Sequence, residues 1–443
     1  MGKGLEKWNI LGGLPLATLV SCLCAVMAGN VQAGDWRQFR GENSNGRADD
    51  SDVPVRWSES KNLLWRTLMP GPGSSSPIVT GEKVFVTSYS GYGVDPGNPG
   101  EMSDLVRHLV CLDRRKGTVL WKREIPARLP EDPFRGYIGE HGYASSTPVT
   151  DGERVYVFFG KTGAIAFDLA GNELWQADLG QESSNRRWGS AASPILHENQ
   201  LIVNASDESQ SIRALDKLTG KEIWRAEAAS LELAYGTAQI ASRPTGGDDL
   251  VLAVPGEIWG LNVETGKLRW YAETGLSGNI CPSLTLSAGV AYGFGGYPTQ
   301  GSFAVRLSGT GDVTDSHVLW KSRVSSYVAS PVLHEGHLYW VSDRGDAMCA
   351  KASDGSLVFS ERLPQLSDAG RKRPAYASLV YANGRFYAVT RYSGTFVFKA
   401  HPKFDLLATN SLNDSSQFNG TPAISGNQIF LRSDKFVYAV GSH

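Results

Sequence analysis

The chain has 443 residues, of which 41% are hydrophobic and 20% charged, so it is not a disordered tail and is long for one conventional core. Glycine is abundant at 50 residues and tryptophan at 12, a balance that favours a ring of short-stranded β repeats. The formal net charge is −2 and no long basic run occurs, so a nucleic-acid partner is not expected.

The N-terminal segment differs in composition from everything that follows. Lys3 and Lys7 precede an apolar stretch from about Ile10 to Ala28, and Val31–Ala33 has the small-residue spacing of a signal-peptidase site. We predict a signal peptide over 1–33 and an exported protein of the periplasm or cell envelope. Two alternatives stay open. Acylation of Cys22 would give a lipid-anchored protein, and retention of the segment would give a membrane anchor that is marginal in length.

A short unit recurs along the chain with fixed residue types. Ala214–Trp224, Gly260–Trp270 and Cys111–Trp121 share a small residue at position 1, Asp or Asn at position 3, Gly at position 7 and Trp at position 11. Ala166–Trp175 is a shortened copy, and Cys349–Phe359 lacks the Trp. Asp or Asn followed by Gly is typical of a turn between two strands. We expect the small residue to leave room for the Trp, which would fill the gap between adjacent sheets.

A second unit precedes each copy and predicts an inner strand that begins at or near a proline. Its examples are Ser76–Val79, Thr147–Val149, Ser193–Ile195, Cys281–Ser283, Ser330–Val332 and Thr421–Ala423. Gln239 and Ser378 hold the position in two copies without the proline. Together the two units predict an all-β, eight-bladed β-propeller of four-stranded antiparallel blades. Seven blades remain an alternative, because two copies are degenerate.

The two ends of the chain complement each other. The last copy stops after Val440 without an outer strand, whereas Leu63–Trp65 resembles an outer strand with no blade before it. We therefore predict a lead-in over 34–62 and a propeller over 63–443, closed by an N-terminal strand that completes the last blade. The first blade is also longer than the others, with insertions at about 90–106 and 125–142.

The repeat resembles the pyrroloquinoline-quinone (PQQ) repeats of quinoprotein alcohol dehydrogenase-like propellers, a group that includes BamB-like proteins. The tract Asp35–Gly41 is similar to the start of exported PQQ-like bacterial propellers. The resemblance covers nearly all of the chain after residue 33. It implies the propeller fold, but the fold hosts both enzymes and scaffolds, so it does not decide the function.

In such a propeller the inner strands surround a channel, and the connections that lead into them ring its mouth. Six of these connections carry an aromatic residue: Tyr143, Trp188, Tyr235, Tyr327, Tyr376 and Phe418. The neighbouring turns add four cations: Lys161, Arg344, Arg391 and Arg432. Aromatic faces and cations suit a flat anionic ligand such as PQQ, a carboxylated sugar or an acidic peptide. The alternative is that the aromatics plug the channel and that the cations are solvated.

Catalytic and metal-binding patterns are weak in this sequence. Cys111, Cys281 and Cys349 have no metal-ligand spacing and are expected to be buried thiols. His334 and His337 read as a hairpin turn, and no histidine recurs beside the serines that precede the inner strands, so no nucleophile–base pair is expected. No metal site is predicted, and the catalytic residues stay unknown.

The favoured function is therefore a non-catalytic binding or scaffold module for an envelope protein or a glycan, with no cofactor. The alternative is a PQQ-dependent dehydrogenase that oxidises alcohols or sugars. The resemblance implies that such an enzyme would use Ca²⁺ and often two adjacent cysteines. This chain has no adjacent cysteine pair and no acidic cluster with the ligand count of a Ca²⁺ site.

Overall fold

The structure is a computed structural model that describes residues 34–244, 246–366 and 373–442. Its strands form eight sheets, each built on four antiparallel strands, in agreement with the predicted eight-bladed propeller. The expected signal peptide and the Cys22 anchor lie outside the described residues. No helix of the described chain is long and apolar enough to cross a membrane.

The four strands of each blade are named A to D from the channel outward. Blade 1 consists of Ile78–Thr80, Lys83–Ser90, Val106–Asp113 and Val119–Pro126. Blade 2 consists of Val149–Thr150, Arg154–Phe158, Ala164–Asp168 and Glu173–Ala177. Blade 3 consists of Ile195–His197, Gln200–Ala205, Ser211–Asp216 and Glu222–Glu227. Blade 4 consists of Gln239–Ser242, Asp248–Val254, Glu257–Asn262 and Leu268–Glu273.

Blades 5 to 8 follow the same order. Blade 5 consists of Thr285–Ser287, Val290–Gly295, Gly301–Arg306 and Val318–Ser322. Blade 6 consists of Val332–His334, His337–Val341, Asp346–Lys351 and Leu357–Arg362. Blade 7 consists of Val380–Ala382, Arg385–Val389, Thr395–Lys399 and Leu406–Asn410. Blade 8 consists of Ala423–Ser425, Gln428–Arg432, Phe436–Gly441 and Leu63–Leu68.

Short additional elements lie in the connections. Arg47–Ala48 runs parallel to strand A of blade 7, and Gly311–Asp312 runs parallel to strand D of blade 4. The helical turns are Ile138–His141, Ser206–Ser209 and Thr314–His317, with 3₁₀ turns at Met102–Asp104, Gly160–Thr162 and Ala229–Leu231. His334 pairs with His337 across a hairpin, as the sequence predicted.

The closure of the ring is confirmed. Leu63–Leu68 pairs antiparallel with Phe436–Gly441, so the N-terminal strand supplies strand D of the last blade. This arrangement leaves no blade incomplete, because the first and last parts of the propeller share one sheet. It also ties the two ends of the ring together through backbone hydrogen bonds, which a linear array of blades would lack.

The recurring Trp joins each blade to the next. Trp224 pairs with the small residue Ala214 of its own blade, which leaves room for the indole. The indole N–H then crosses to blade 4 and donates to the Val263 carbonyl at 2.8 Å. The ring also packs against Gly266 in the turn between strands C and D of blade 4. The sequence predicted this inter-sheet contact, and the structure confirms it.

The same contact recurs around the ring. The indole N–H of five Trp residues donates to a carbonyl of the next blade: Trp65, Trp121, Trp175, Trp224 and Trp320. The receiving turn requires glycine, because Gly220 has φ +72° and an added Cβ would lie 2.6 Å from the Trp175 ring. Trp270 is an exception, since its N–H donates to Asp249 of its own blade at 2.8 Å. Phe359 replaces Trp in blade 6 and lies 6.2 Å from Phe404 of blade 7.

The lead-in is ordered inside the ring, which the sequence did not predict. Trp36 exchanges backbone hydrogen bonds with Val79 of blade 1 at 2.8 and 2.9 Å. Further along, Gly46 accepts from the Tyr381 N–H of blade 7 at 2.8 Å. Between them Arg40 is fully buried and donates to the Pro331 carbonyl of blade 6. The segment from residue 34 to 48 therefore crosses the channel, and we call it the plug.

We expect Trp224→Ala to lower the free energy of unfolding by roughly 3–5 kcal/mol, because it leaves a cavity between two blades and removes a hydrogen bond. Denaturant unfolding of the full chain measures this loss. The adjacent Ile223 is 43% exposed, so Ile223→Ala is the matched control and should cost less than about 1 kcal/mol. Equal losses in the two variants would contradict the proposed role of the indole.

Candidate functional site

The central channel contains a cavity of about 170 Å³ above the plug. Phe39 of the plug lies at its floor, and the connections that lead into the inner strands form its wall. All eight blades contribute a residue to this wall, so the cavity is a product of ring closure rather than of any single repeat.

A ring of hydroxyl groups surrounds the cavity, with one hydroxyl from each blade two residues before its strand A. The members are Ser76, Thr147, Ser193, Thr237, Ser283, Ser330, Ser378 and Thr421. In seven of the eight junctions, the backbone N–H of one member donates to the hydroxyl oxygen of the next at 2.9–3.0 Å. These contacts satisfy buried N–H groups and fix the spacing of the inner strands.

The hydroxyl ring corrects the sequence alignment of blade 5. The Cys281–Ser283 copy was aligned on its proline, which placed Cys281 at the ring position. The structure places Ser283 there instead, since Thr285 begins the strand two residues later. Cys281 remains on the cavity wall, while Cys111 and Cys349 are buried. Burial raises the pKa of the Cys281 thiol to about 11.

The upper wall of the cavity is aromatic. Four of the six predicted aromatic residues line it: Trp188, Tyr235, Tyr327 and Tyr376. The Trp188 and Tyr235 rings stack with centroids 5.7 Å apart. Asn279 holds Tyr327 by donating to its hydroxyl at 3.1 Å. These side chains present ring faces and edges to the channel.

Tyr143 and Phe418 do not line the cavity, contrary to the expectation that they ring its mouth. Tyr143 packs beneath the blade 1 insertions, 5.4 Å from the ring of Tyr89, and its hydroxyl donates to the Asp132 carbonyl at 2.7 Å. Phe418 stacks on Tyr438 at 6.0 Å. Both side chains are used in packing because the neighbouring loops cover them.

The predicted cations occupy structural positions. Lys161 is buried, donates to the Ser183 hydroxyl at 2.8 Å and lies 3.5 Å from an Asp132 oxygen. Arg432 is fully buried and donates to the carbonyls of Gly71 and Gly73. None of these groups lines the main cavity, so they do not form the cationic funnel that the sequence suggested.

The two remaining cations differ from each other. Arg391 is buried under Tyr376, with its guanidinium 4.7 Å from the ring centroid, and pairs with Glu140 at 2.7 Å. Arg344 is exposed and is not part of the cavity lining. The cation nearest to the aromatic wall is Arg373, which was not among the cations predicted from the sequence to lie at the mouth. Its guanidinium lies 4.3 Å from the Tyr327 ring centroid.

The second insertion of blade 1 brings further residues to the cavity. Its helical turn Ile138–His141 follows Tyr137, whose ring centroid lies 4.2 Å from that of Trp188. Glu140 and His141 of the same turn also line the cavity. The unusual length of the insertion was the available signal, but the sequence did not show that it folds back over the channel.

His141 corrects one expectation from the sequence. Its Nδ1 lies 2.5 Å from the Ser145 hydroxyl oxygen, so a serine and a histidine do meet on the cavity wall. Burial lowers the pKa of His141 to about 4, so the imidazole is neutral near pH 7. The Ser145 hydroxyl also lies 3.2 Å from the His141 carbonyl oxygen, an arrangement that caps the end of the helical turn.

A smaller, charged cavity lies beside the main one, between blades 1, 2 and 3. Arg107 and Glu131 form a buried ion pair at 2.6 Å on its wall. Glu208 is also buried there and accepts from the Ser190 hydroxyl at 2.7 Å. Burial and the adjacent carboxyl group of Asp207 raise the pKa of Glu208 well above its ordinary value.

One group of side chains has the proximity of metal ligands. His197 is the last residue of strand A of blade 3, Glu198 follows it in the turn, and Glu264 lies in a turn of blade 4. Their ligand atoms are within 4.8 Å of one another. The sequence predicted no metal site, because these residues belong to different repeats. The group lies away from the cavity, and both glutamates are exposed.

The sequence and structure match known proteins. The family model described as outer membrane protein assembly factor BamB, a PQQ-repeat family, matches residues 106–361, more than half of the chain. The chain belongs to this family. Its repeats are therefore PQQ-like repeats, as the resemblance indicated. None of the curated proteins matches the chain.

Solved structures share the fold of this family member at low sequence identity. BamB from Moraxella catarrhalis is 14% identical with a TM-score of 0.60, covering 85% of this chain and 96% of that one. Quinohemoprotein alcohol dehydrogenase from Comamonas testosteroni is 10% identical with a TM-score of 0.63, covering 94% and 81%. A europium-containing methanol dehydrogenase is 10% identical with a TM-score of 0.59, covering 90% and 89%. These neighbours establish the fold, and they include both BamB and dehydrogenases.

We predict that Glu208→Gln stabilises the protein increasingly as the pH rises from 5 to 8. The carboxyl group keeps its proton in the folded state but loses it in the unfolded state above about pH 4.5, so wild-type stability falls as the pH rises. Glutamine has no proton to lose. Between pH 5 and pH 8, the difference in the free energy of unfolding between variant and wild type should therefore grow by about 1 kcal/mol or more.

Denaturant unfolding at pH 5 and pH 8 measures this difference. Glu361 is exposed on strand D of blade 6, and Glu361→Gln is the control that should show no comparable change with pH. A Glu208→Gln difference that stays constant or shrinks over this range would show that the buried carboxyl group is ionised in the folded protein.

Proposed function

We propose that this protein is an exported, non-catalytic binding module of the BamB-like kind. Its site is the central cavity, which a ligand enters from the face that carries Tyr137. The observation that carries the proposal is the construction of the cavity: the plug and Phe39 form its floor, and aromatic rings and hydroxyl groups form its wall. This is a concave site with a largely apolar lining and a few convergent polar groups, as is typical of binding pockets.

The residues of the cavity do not fit PQQ with Ca²⁺. PQQ carries several carboxylates, which need cations or a metal ion beside them. The buried cations near the channel are already bound: Lys161 to Asp132 and Ser183, and Arg391 to Glu140. Glu140 is the only carboxylate among the described lining residues, whereas Ca²⁺ takes six to eight oxygen ligands. The donor set therefore supports binding without this cofactor.

The histidine and serine on the wall do not favour hydrolysis either. A nucleophilic serine needs a base that a third group orients, together with donors aimed at the developing oxyanion. Here Ser145 and His141 belong to one helical turn and its cap, and the main polar donors of the wall are the ring hydroxyls. The pair is better explained as the support that holds Tyr137 and Glu140 over the channel.

The binding role predicts contact at the mouth of the cavity in the cell. A photoreactive benzoylphenylalanine in place of Tyr137 should form an adduct with an envelope component, because this side chain lies at the entrance. The same substitution at Tyr271, on the outer strand of blade 4, is the matched control and should give no such adduct. Mass spectrometry of both proteins after irradiation detects the adducts. Equal labelling at the two positions, or none at Tyr137, would contradict the proposal.

The non-catalytic role predicts no quinone-dependent turnover. The purified full chain, mixed with PQQ and Ca²⁺, should not reduce an electron-accepting dye when simple alcohols or aldose sugars are added. Calorimetry under the same conditions should show no saturable binding of PQQ. Saturable binding together with alcohol-dependent dye reduction would establish the dehydrogenase alternative instead.

A further inference from the structure

We propose that the ligand of the central cavity is the end of a neutral glycan chain. This inference rests on the proposed binding function and adds the chemical class of the ligand. Three observations carry it: the stacked aromatic rings at the mouth, the ring of hydroxyls below them, and the balance of charges around the wall.

The aromatic rings at the mouth form a platform for the apolar faces of sugar rings. Trp188 lies at the centre of this platform. Its ring centroid is 4.2 Å from that of Tyr137 and 5.7 Å from that of Tyr235. Tyr327 faces the same space, 6.4 Å from Tyr137. Trp188 and Tyr137 are only partly buried, so their surfaces are accessible. A pyranose has C–H groups on its faces that pack on aromatic rings, while its hydroxyls stay at the edge.

The ring of hydroxyls offers unused donors. Each hydroxyl oxygen in the seven hydrogen-bonded junctions accepts one N–H, and no acceptor in the described chain takes its own proton. Asn419 adds an unused acceptor. Its amide N–H donates to the Glu140 carbonyl at 2.8 Å, but its buried Oδ1 has no partner. A ligand with many hydroxyl groups can satisfy both kinds of group at once.

The charges around the wall are balanced, which favours a neutral ligand. Among the described lining residues, Glu140 is the only acidic side chain and His141 the only basic one. Glu140 is paired with Arg391 at 2.7 Å, and burial keeps His141 neutral by lowering its pKa to about 4. Arg373 stacks on Tyr327, and its Nε lies 3.6 Å from an Asp343 oxygen. Inside the cavity, a charged group would therefore lose hydration without meeting an unpaired partner. Arg186 is exposed, and its guanidinium lies 5.7 Å from the Trp188 ring centroid, but it is not part of the cavity lining.

The shape of the cavity indicates how the glycan would bind. Phe39 closes the floor, so a chain cannot pass through the channel. A polymer therefore binds by one end, with its terminal sugar above Phe39 and the next sugar against the accessible surfaces of the aromatic rings at the mouth. The insertion that carries Tyr137 covers this second position.

Isothermal calorimetry of the full chain tests the inference with four defined probes. They are neutral hexasaccharides of glucose, of mannose and of N-acetylglucosamine, and a carboxylated oligogalacturonate of the same length. We expect at least one neutral probe to bind and the carboxylated probe to bind at least tenfold more weakly. The end-on geometry further predicts that a reduced or capped chain end changes the affinity, whereas a change in the middle of the chain does not.

Variants locate the binding site. Trp188→Ala should weaken the neutral probe at least tenfold, since it removes the centre of the stacking platform. Ser330→Ala removes one hydroxyl of the wall, together with the acceptor of the Ser283 N–H, so it should weaken binding by a smaller factor. Tyr271→Ala, on the outer strand of blade 4, should leave the affinity unchanged. Circular dichroism of each variant shows whether the propeller is intact.

The outcomes separate this inference from the binding function. Binding of oligogalacturonate in preference to every neutral probe would overturn the assignment of a neutral glycan. So would neutral binding that is unaffected by both Trp188→Ala and Ser330→Ala, or no binding of any probe while the adduct at Tyr137 is a protein. In each case the adduct at Tyr137 would still support the binding module. Loss of that adduct would overturn the proposed function itself.

Discussion

The structure depends on one repeated contact, in which an indole of one blade bonds to a turn of the next. The Trp224 N–H reaches the Val263 carbonyl at 2.8 Å while its ring packs against Gly266. This contact needs a small residue opposite the Trp and a glycine in the receiving turn, so it explains three positions of the repeat together. Because the indole fixes the spacing between two sheets, repeating it around the ring sets the angle at which the blades close.

Closure of the ring produces the cavity, and two further devices shape it. In seven junctions a backbone N–H of the hydroxyl ring donates to the next hydroxyl oxygen at 2.9–3.0 Å, which links neighbouring inner strands. The hydroxyl ring therefore joins the blades near the axis, and the indoles join them further out. The plug then crosses the channel and places Phe39 beneath the cavity. The result is a rigid pocket with one open end. Such a scaffold supports recognition, because its walls are held in place before a ligand arrives.

The sequence predicted the parts of the fold that recur and missed the parts that occur once. The Asp–Gly turns, the Trp and the N-terminal strand each follow from a local pattern, and each is confirmed. The plug has no periodic pattern, and Tyr137 reaches Trp188 only because an insertion folds back over the channel. Lys161 and Arg432 were expected at the mouth, but burial and hydrogen bonds to neighbouring loops hold them elsewhere. Their positions in the sequence identified the blade to which each residue belongs, but not the direction in which its side chain points.

The proposed ligand of the cavity is neutral and rich in hydroxyl groups, whereas PQQ is an anionic quinone. The most direct measurement is a competition soak: crystals of the protein exposed to PQQ with Ca²⁺ and to neutral oligosaccharides at equal concentration. We expect density for a sugar ring against Trp188, with its hydroxyls directed at the ring of Ser and Thr hydroxyls. Density for a planar quinone between Trp188 and Tyr327, with a metal ion beside it, would show that the cavity is a quinone site instead.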